Sequence, residues 1–179
     1  MSELLFNELP RPTFRWLRVN HTVSSLAGED TAVQSIAVEA NKDILSPLPV
    51  GTALLDGNYE GANKEAVHVL VEKAEGYAIN VPPKAKEVVG IRIDANARVA
   101  NRFQFIVGEG AELEVQFYVT GSGDALTNVS YLNEYDVKEA GKVVVKKVNL
   151  LPEHVQHIEH RYTKLEDKAD VEYINIEIG

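Results

Sequence analysis

A chain of 179 residues with 27 acidic and 18 basic side chains carries a formal net charge of −9 at pH 7. This balance argues against binding to nucleic acid or to an anionic membrane, because both need a basic surface. The absence of cysteine excludes a disulfide framework, a thiolate nucleophile and a cysteine-ligated metal or iron–sulfur site within this chain. The sequence contains neither an apolar stretch of the roughly 20 residues that span a membrane nor a signal-peptide pattern, so we expect a cytoplasmic protein.

Residues 1–87 form the first predicted region, in which prolines interrupt short strands. Two proline-containing stretches, residues 9–12 and 46–49, cannot continue a helix because proline lacks a backbone N–H and clashes with the preceding turn. Residues 13–19 and 33–39 alternate apolar and polar side chains, a pattern that predicts two amphipathic strands. We therefore expect an irregular region with short strands.

One short helix is predicted in this region, near residues 62–74. Small or apolar residues recur at every fourth position of this stretch, namely Ala62, Ala66, Leu70 and Ala74. This spacing places them in one stripe along a helix. Gly76 follows as a C-terminal stop, and residues 77–81 predict a short strand that ends at a Pro-Pro turn.

Residues 88–179 form the second predicted region, which consists of one strand after another. Apolar side chains occupy alternate positions, as in Phe103, Phe105 and Val107, and glycine-rich turns separate the runs. No segment with helical periodicity lies between these strands. The pattern therefore argues against a sheet built from βαβ units and leaves a sandwich, a barrel or a solenoid.

Three segments of the second region align without gaps: residues 107–115, 137–145 and 165–173. Each has an apolar residue, then an acid two places on (Glu109, Glu139 or Asp167), then small residues, then apolar residues at alternate positions. The segments start 30 and 28 residues apart. Self-similarity at a period of roughly 20–50 residues is the signature of a solenoid.

The repeat predicts a mainly β protein built as a parallel β-helix. Each coil has an inward row of apolar residues that it can bury only by stacking on the next coil. A small β-sandwich with similar hairpins is the alternative. Near residue 173 the apolar positions change from odd (Val171, Tyr173) to even (Ile174, Ile176, Ile178), which we interpret as a strand that bends around a corner.

A histidine cluster, His154, His157 and His160, is a candidate metal site. On a helix His154 and His157 would share a face, whereas on a strand His154 and His160 would do so. Imidazole suits zinc, nickel or copper. The outward-facing Glu112 and Glu114 could likewise bind a cation or act as acid and base on a polysaccharide. Solvated side chains are the competing interpretation for both groups.

Four segments resemble the core domain of the SufB/SufD family, the scaffold subunits of an iron–sulfur cluster assembly system. They are Asn-Arg-Phe-Gln-Phe-Ile-Val-Gly-Glu-Gly-Ala-Glu-Leu at 101–113, Leu-Thr-Asn-Val at 126–129, Ala-Asp-Val-Glu-Tyr at 169–173 and Gly-Tyr-Ala-Ile-Asn-Val-Pro at 76–82. The resemblance implies a right-handed parallel β-helix. It also implies a cytoplasmic complex with a SufC-type ATPase and a SufB/SufD paralogue that builds nascent clusters.

The chain departs from the family pattern in two ways. Family members are longer, and their ATPase-binding segments and the Cys and His residues implicated in cluster assembly lie nearer the C-terminus. We therefore assign no catalytic, cofactor-binding or metal-binding residue. We expect a truncated, non-catalytic scaffold. A SufD-like subunit is preferred to a SufB-like one because cysteine is absent. The last coil is expected to associate with another copy. The alternative is a small metal- or carbohydrate-binding β-solenoid enzyme that uses His154, His157 and His160.

Overall fold

A computed structural model describes residues 3–6, 22–25, 36–55, 59, 64–121 and 127–178. The strands are β1 Glu3–Phe6, β2 Thr22–Ser25, β3 Ile36–Glu39, β4 Leu45–Leu48, β5 Gly76–Val81, β6 Lys86–Asp94, β7 Val99–Val107, β8 Glu112–Thr120, β9 Thr127–Val137, β10 Lys142–Leu150, β11 Val155–Leu165 and β12 Asp170–Glu177, and the helix is α1 Lys64–Lys73. The predicted short helix is thereby confirmed. The predicted strand over residues 13–19 lies outside the described residues.

Two five-stranded sheets, in the orders β12-β10-β8-β6-β3 and β11-β9-β7-β5-β4, form the body of the protein. Strands β5 to β12 pair in parallel, each with the strand one coil away, while β3 and β4 pair antiparallel at one end. The parallel pairing extends back to Gly76, into the region before residue 88. The mainly β solenoid predicted from the sequence is confirmed, and the sandwich alternative is wrong.

The predicted repeat coincides with the strand register. Val107 lies opposite Val137, and Val137 lies opposite Leu165. The first residues of the three aligned segments are therefore neighbours on successive coils. The 30- and 28-residue spacings are the lengths of these coils, because one full turn of the chain returns to the same position on the adjacent strand.

Tight corners lead from the β11-to-β4 sheet into the β12-to-β3 sheet, after β5, β7, β9 and β11, and each of these contains one residue with left-handed backbone geometry. These residues are Lys84, Gly110, Ala140 and Lys168, with φ angles of 64°, 61°, 55° and 57°. Successive corners are joined by backbone bonds, such as Gly110 N–H to the Glu139 carbonyl at 2.9 Å. The acid of each repeat directly precedes the left-handed residue, where glycine is favoured because it has no Cβ.

The interior of the coils is a continuous apolar core in its first turns. Phe103, Phe105 and Phe117 are 0–2% exposed, and Phe105 stacks on Tyr135 with ring centroids 4.7 Å apart. These side chains point inward because they occupy alternate positions of β7, β8 and β9. Burial of this set supplies the main driving force for stacking one coil on the next.

Strand β12 corrects the expected bend after Tyr173. The strand runs unbroken from Asp170 to Glu177 and keeps its register with β10 throughout. Ile174 and Ile176 therefore lie on the outer face, where they are 43% and 49% exposed. The apolar positions change from odd to even because the inner face of β12 becomes polar after Tyr173, whereas its outer face carries isoleucines.

The outer face of the β11-to-β4 sheet is covered by α1, by residues 49–54 and by Tyr59. Buried Arg102 donates hydrogen bonds to the backbone carbonyls of Ala74 at 3.0 Å, Pro49 at 2.7 Å and Thr52 at 2.5 Å. Fully buried Glu134 accepts from the Tyr59 hydroxyl at 2.5 Å. These two charged side chains anchor the first region to the coils. Among the described residues no helix is long and apolar enough to cross a bilayer.

Candidate functional site

The interior of the last coil, formed by β10, β11 and β12, is largely polar, in contrast to the apolar interior of the earlier coils. The inward positions that follow Val145, Val155 and Tyr173 carry hydrogen-bonding or charged groups: Lys147, Asn149, His157, Glu159, Arg161, Thr163, Asn175 and Glu177. They share one interior because inward positions recur at every second residue of β10, β11 and β12. We call this group the polar end.

Glu159 is the centre of the polar end. Its carboxylate accepts hydrogen bonds from Lys147 Nζ at 2.9 Å, from Asn133 Nδ2 at 2.9 Å and from Arg161 Nε at 2.6 Å and Nη2 at 2.9 Å. Lys147 also lies 2.8 Å from Glu177 Oε1. The side chains of Lys147 and Glu159 are 4% and 7% exposed, so this is a buried ion pair with further polar support.

Glu159 and Arg161 hold each other ionised. Burial alone raises the pKa of Glu159, but hydrogen bonds from Arg161 and the charge of Lys147 outweigh it and lower the pKa to about 2. The bond to Glu159 raises the pKa of Arg161. The Arg161 guanidinium also lies 4.8 Å from the centroid of the Tyr173 ring, a cation–π contact that joins β11 to β12.

A directed chain of hydrogen bonds crosses the polar end. Asn149 Oδ1 accepts from the Leu151 backbone N–H at 3.1 Å, so Asn149 Nδ2 faces Glu177 Oε2 at 2.5 Å and His157 Nδ1 at 3.2 Å. His157 Nδ1 is therefore the acceptor, and Nε2 carries the proton that it donates to the Tyr131 hydroxyl at 3.1 Å. Tyr131 in turn faces Glu159 Oε2 at 3.4 Å.

The three histidines of the candidate cluster, His154, His157 and His160, do not form one site. His157 points inward with Tyr131, whereas His160 occupies the opposite face of β11, and His154 precedes the strand. His160 is 9% exposed, its Nε2 lacks a hydrogen-bond partner, and burial lowers its pKa to about 4. Within the described part of the chain, no group of three or more His, Cys, Asp and Glu side chains is placed to hold a metal ion.

The outward carboxylates singled out in the sequence are paired with lysines. Glu112 lies 2.8 Å from Lys86 Nζ, and Glu114 lies 2.8 Å from Lys146 Nζ. A groove of about 530 Å³ lies on the same outer sheet face, with Gly90 in its lining. Its polar lining includes Glu39, Arg92, Gln116 and Lys146, with Tyr118 as the exposed aromatic side chain.

The last coil also carries one edge of each sheet. Strands β11 and β12 each pair on one side only among the described strands. At the other end of each sheet lies a four-residue antiparallel strand, β4 or β3, which is also an edge among these strands but a shorter one. The edge of a sheet exposes a row of unpaired backbone groups that can accept another strand. The polar end and the longer edges of β11 and β12 together form the candidate docking site.

Sequence reasoning did not identify the polar end. The signal was present in the aligned repeats, since Val119 of β8 corresponds to Asn149 and then to Glu177 on the following coils. Phe117 of β8 likewise corresponds to Lys147 and then to Asn175. When the residue at one inward position is apolar on one coil and polar on the next, the apolar core ends between those two coils. The alignment of residues 107–173 ended before these positions.

Comparison with known proteins adds no relative. The chain matches no protein-family model, no curated protein and no solved structure.

Proposed function

We propose that this chain is a non-catalytic scaffold component of iron–sulfur cluster assembly, similar to a SufD-type subunit, and that its last coil is the surface on which a partner docks. The observation that carries the proposal is the combination of two free strand edges with an ordered, charged interior in the same coil. Such an end suits coil-on-coil association, because an incoming strand finds both unpaired backbone groups and polar side chains to pair with.

The link to cluster assembly depends on the resemblance of residues 76–82, 101–113, 126–129 and 169–173 to the SufB/SufD core domain. The parallel coils support the architecture that this resemblance implies, because the three segments aligned by sequence stack in register. On this proposal the partners are a SufB/SufD paralogue and a SufC-type ATPase, and the complex acts in the cytoplasm. Its role is to hold other subunits in place.

The test is co-expression of this chain with a SufC-type ATPase and a SufB-type paralogue, followed by purification through a tag on this chain. We expect the paralogue to co-purify and the complex to reactivate an apo iron–sulfur protein faster than the paralogue and ATPase alone. Capture of neither partner, with an unchanged reactivation rate, would contradict the proposal.

A matched pair of variants locates the interface. Ile174→Lys places a charge on the edge strand β12, where it disfavours strand addition. Val88→Lys places the same charge on β6, on the same outer sheet face but three strands away from β12. We expect the first substitution to reduce recovery of the paralogue and the second to leave it unchanged. Equal losses would assign docking to the outer face instead of the edge.

A further inference from the structure

The hydrogen-bond chain through His157 gives the polar end a fixed direction. The Leu151 N–H orients the Asn149 amide, so that Asn149 Nδ2 donates both to Glu177 on β12 and to His157 Nδ1 on β11. One amide group on β10 therefore links β11 to β12. This arrangement requires a neutral imidazole, because Nδ1 must keep its lone pair to accept a hydrogen bond.

A proton added to His157 would have to enter at Nδ1, since Nε2 already donates to Tyr131. The new N–H would then face the Asn149 NH₂ group, a donor directed at a donor, and the Asn149 contact with His157 would be lost. Because the same amide donates to Glu177, the change reaches β12 directly.

The charged surroundings offer the imidazolium ion little compensation. The titratable and charged groups that face His157 are Tyr131 on β9, Lys147 on β10, Glu159 and Arg161 on β11, and Glu177 on β12. Glu159 is already bound to Lys147 and Arg161, and Glu177 is bound to Lys147 and Asn149. The additional positive charge would therefore compete with two cations for two carboxylates that are already engaged.

We propose that His157 is a pH-sensitive latch: the neutral imidazole holds strand β12 against the coils, and its protonation releases β12. Burial lowers the pKa of His157, with the charge of Lys147 as the next cause, so His157 resists protonation while β12 is held in place. When β12 is released, His157 takes up a proton more readily. Acidification below about pH 6.5, the ordinary histidine pKa, therefore favours release of β12. The latch does not depend on which partner docks at the last coil.

The experiment measures amide hydrogen exchange of the intact protein between pH 8 and pH 5, corrected for the intrinsic pH dependence of exchange. The Ile178 amide, which donates to the Asn149 carbonyl at 2.9 Å, reports on β12, and β8 amides report on the body. One proton taken up on opening raises the opening constant of β12 by up to about tenfold per pH unit below about pH 6.5. Amides of β8 exchange through global unfolding, which itself responds to acid, so we expect β12 to open at a lower free energy than β8 throughout this range.

Three variants make the result decisive. His157→Gln keeps a neutral polar side chain that does not titrate, so its β12 opening is expected to be independent of pH. His154→Gln, just before β11, and His160→Leu, on the opposite face of β11, are expected to retain the wild-type response. An unchanged pH response in His157→Gln, or its loss in His160→Leu, would overturn the latch.

Nitrogen NMR of the wild-type imidazoles gives a readout that needs no variant. At pH 8 we expect His157 as the Nε2–H tautomer, with an unprotonated Nδ1 that accepts from Asn149. Observation of the Nδ1–H tautomer would overturn the latch even if His157→Gln fails to fold.

Discussion

Lys147 Nζ lies 2.9 Å from Glu159 Oε2 in the interior of the last coil, and the two side chains are 4% and 7% exposed. The equivalent inward position on the preceding coil is Phe117, and on the following strand it is Asn175. The ion pair therefore marks the level at which the solenoid interior changes from packed apolar side chains to hydrogen-bonded charges. A change of this kind lets the core approach an exposed edge without exposing large apolar side chains.

Removing the Glu159 carboxylate should destabilise the protein more than removing its lysine partner. Glu159→Gln leaves Lys147 and Arg161 without their shared counter-ion, which costs about 3 kcal/mol. Lys147→Met leaves Glu159 bound to Arg161 and Asn133 and costs about 1 kcal/mol. Urea unfolding of both variants measures the two free energies. A larger loss for Lys147→Met would show that Arg161 does not support the carboxylate.

A double-mutant cycle separates the buried pair from an exposed one. We expect a clear coupling energy between Lys147→Met and Glu159→Gln, because the two groups are in contact and desolvated. The matched surface pair is Lys86 and Glu112, whose side chains are 75% and 49% exposed. Its coupling is expected to lie within the error of the measurement because solvent screens it.

His160 should make the fold sensitive to acid. Burial lowers its pKa to about 4, so the unfolded chain takes up the proton first, near pH 6.5, and stability falls as the pH decreases from about 6.5 to 4. The loss amounts to about 1.4 kcal/mol per pH unit in this range. His160→Leu should remove its own contribution to this slope and leave that of His157, without changing the slope above pH 7. Equal slopes for both proteins in urea unfolding would contradict the assignment.

Arg102 should be essential for attaching residues 49–54 to the coils. Its guanidinium satisfies three backbone carbonyls at once, and Arg102→Met leaves them without this donor at a cost of about 3 kcal/mol. Arg102→Lys should restore only part of the lost stability, because an ammonium group lacks the planar, forked arrangement of donors of a guanidinium. Limited proteolysis should then cut within residues 49–55 before it cuts the coils. Arg92→Met, at an exposed position, is the control.

Ala140→Gly should stabilise the protein. Ala140 has a φ of 55°, a left-handed conformation that costs an alanine about 1–2 kcal/mol and a glycine almost nothing. The greater entropy of glycine in the unfolded chain offsets part of this gain, which leaves about 0.5 kcal/mol. The matched control is Ala111→Gly in the adjacent corner, where the buried alanine has no such strain. We expect this control to lower the thermal midpoint.

The chain should associate with itself at high concentration. The edges of β11 and β12 are unpaired on one side among the described strands, and Ile174 and Ile176 add exposed apolar surface. Size-exclusion chromatography with light scattering should show a mass that rises with concentration. The double variant Ile174→Lys and Ile176→Lys should remain monomeric. A wild-type monomer at all concentrations would contradict this expectation.

Local patterns predicted much of the fold. Period-2 apolar residues indicated the strands, and the aligned segments at 107, 137 and 165 predicted the register, because inward positions and corners repeat along the chain. The stripe from Ala62 to Ala74 likewise predicted a helix, which the structure has at Lys64–Lys73. These features could be predicted since each depends on residues close together in sequence or on their strict recurrence.

The rest depended on which side chains meet across coils. The amino-acid sequence alone determined the period of the solenoid, its corners and the position of its helix. Only the tertiary structure placed His157 and His160 on opposite faces of one strand, turned Ile174 outward and brought Lys147 to Glu159 and Glu177. The physical reason is that a buried charge is stabilised by partners on neighbouring strands, and a residue's own sequence neighbours do not reveal which partners those are.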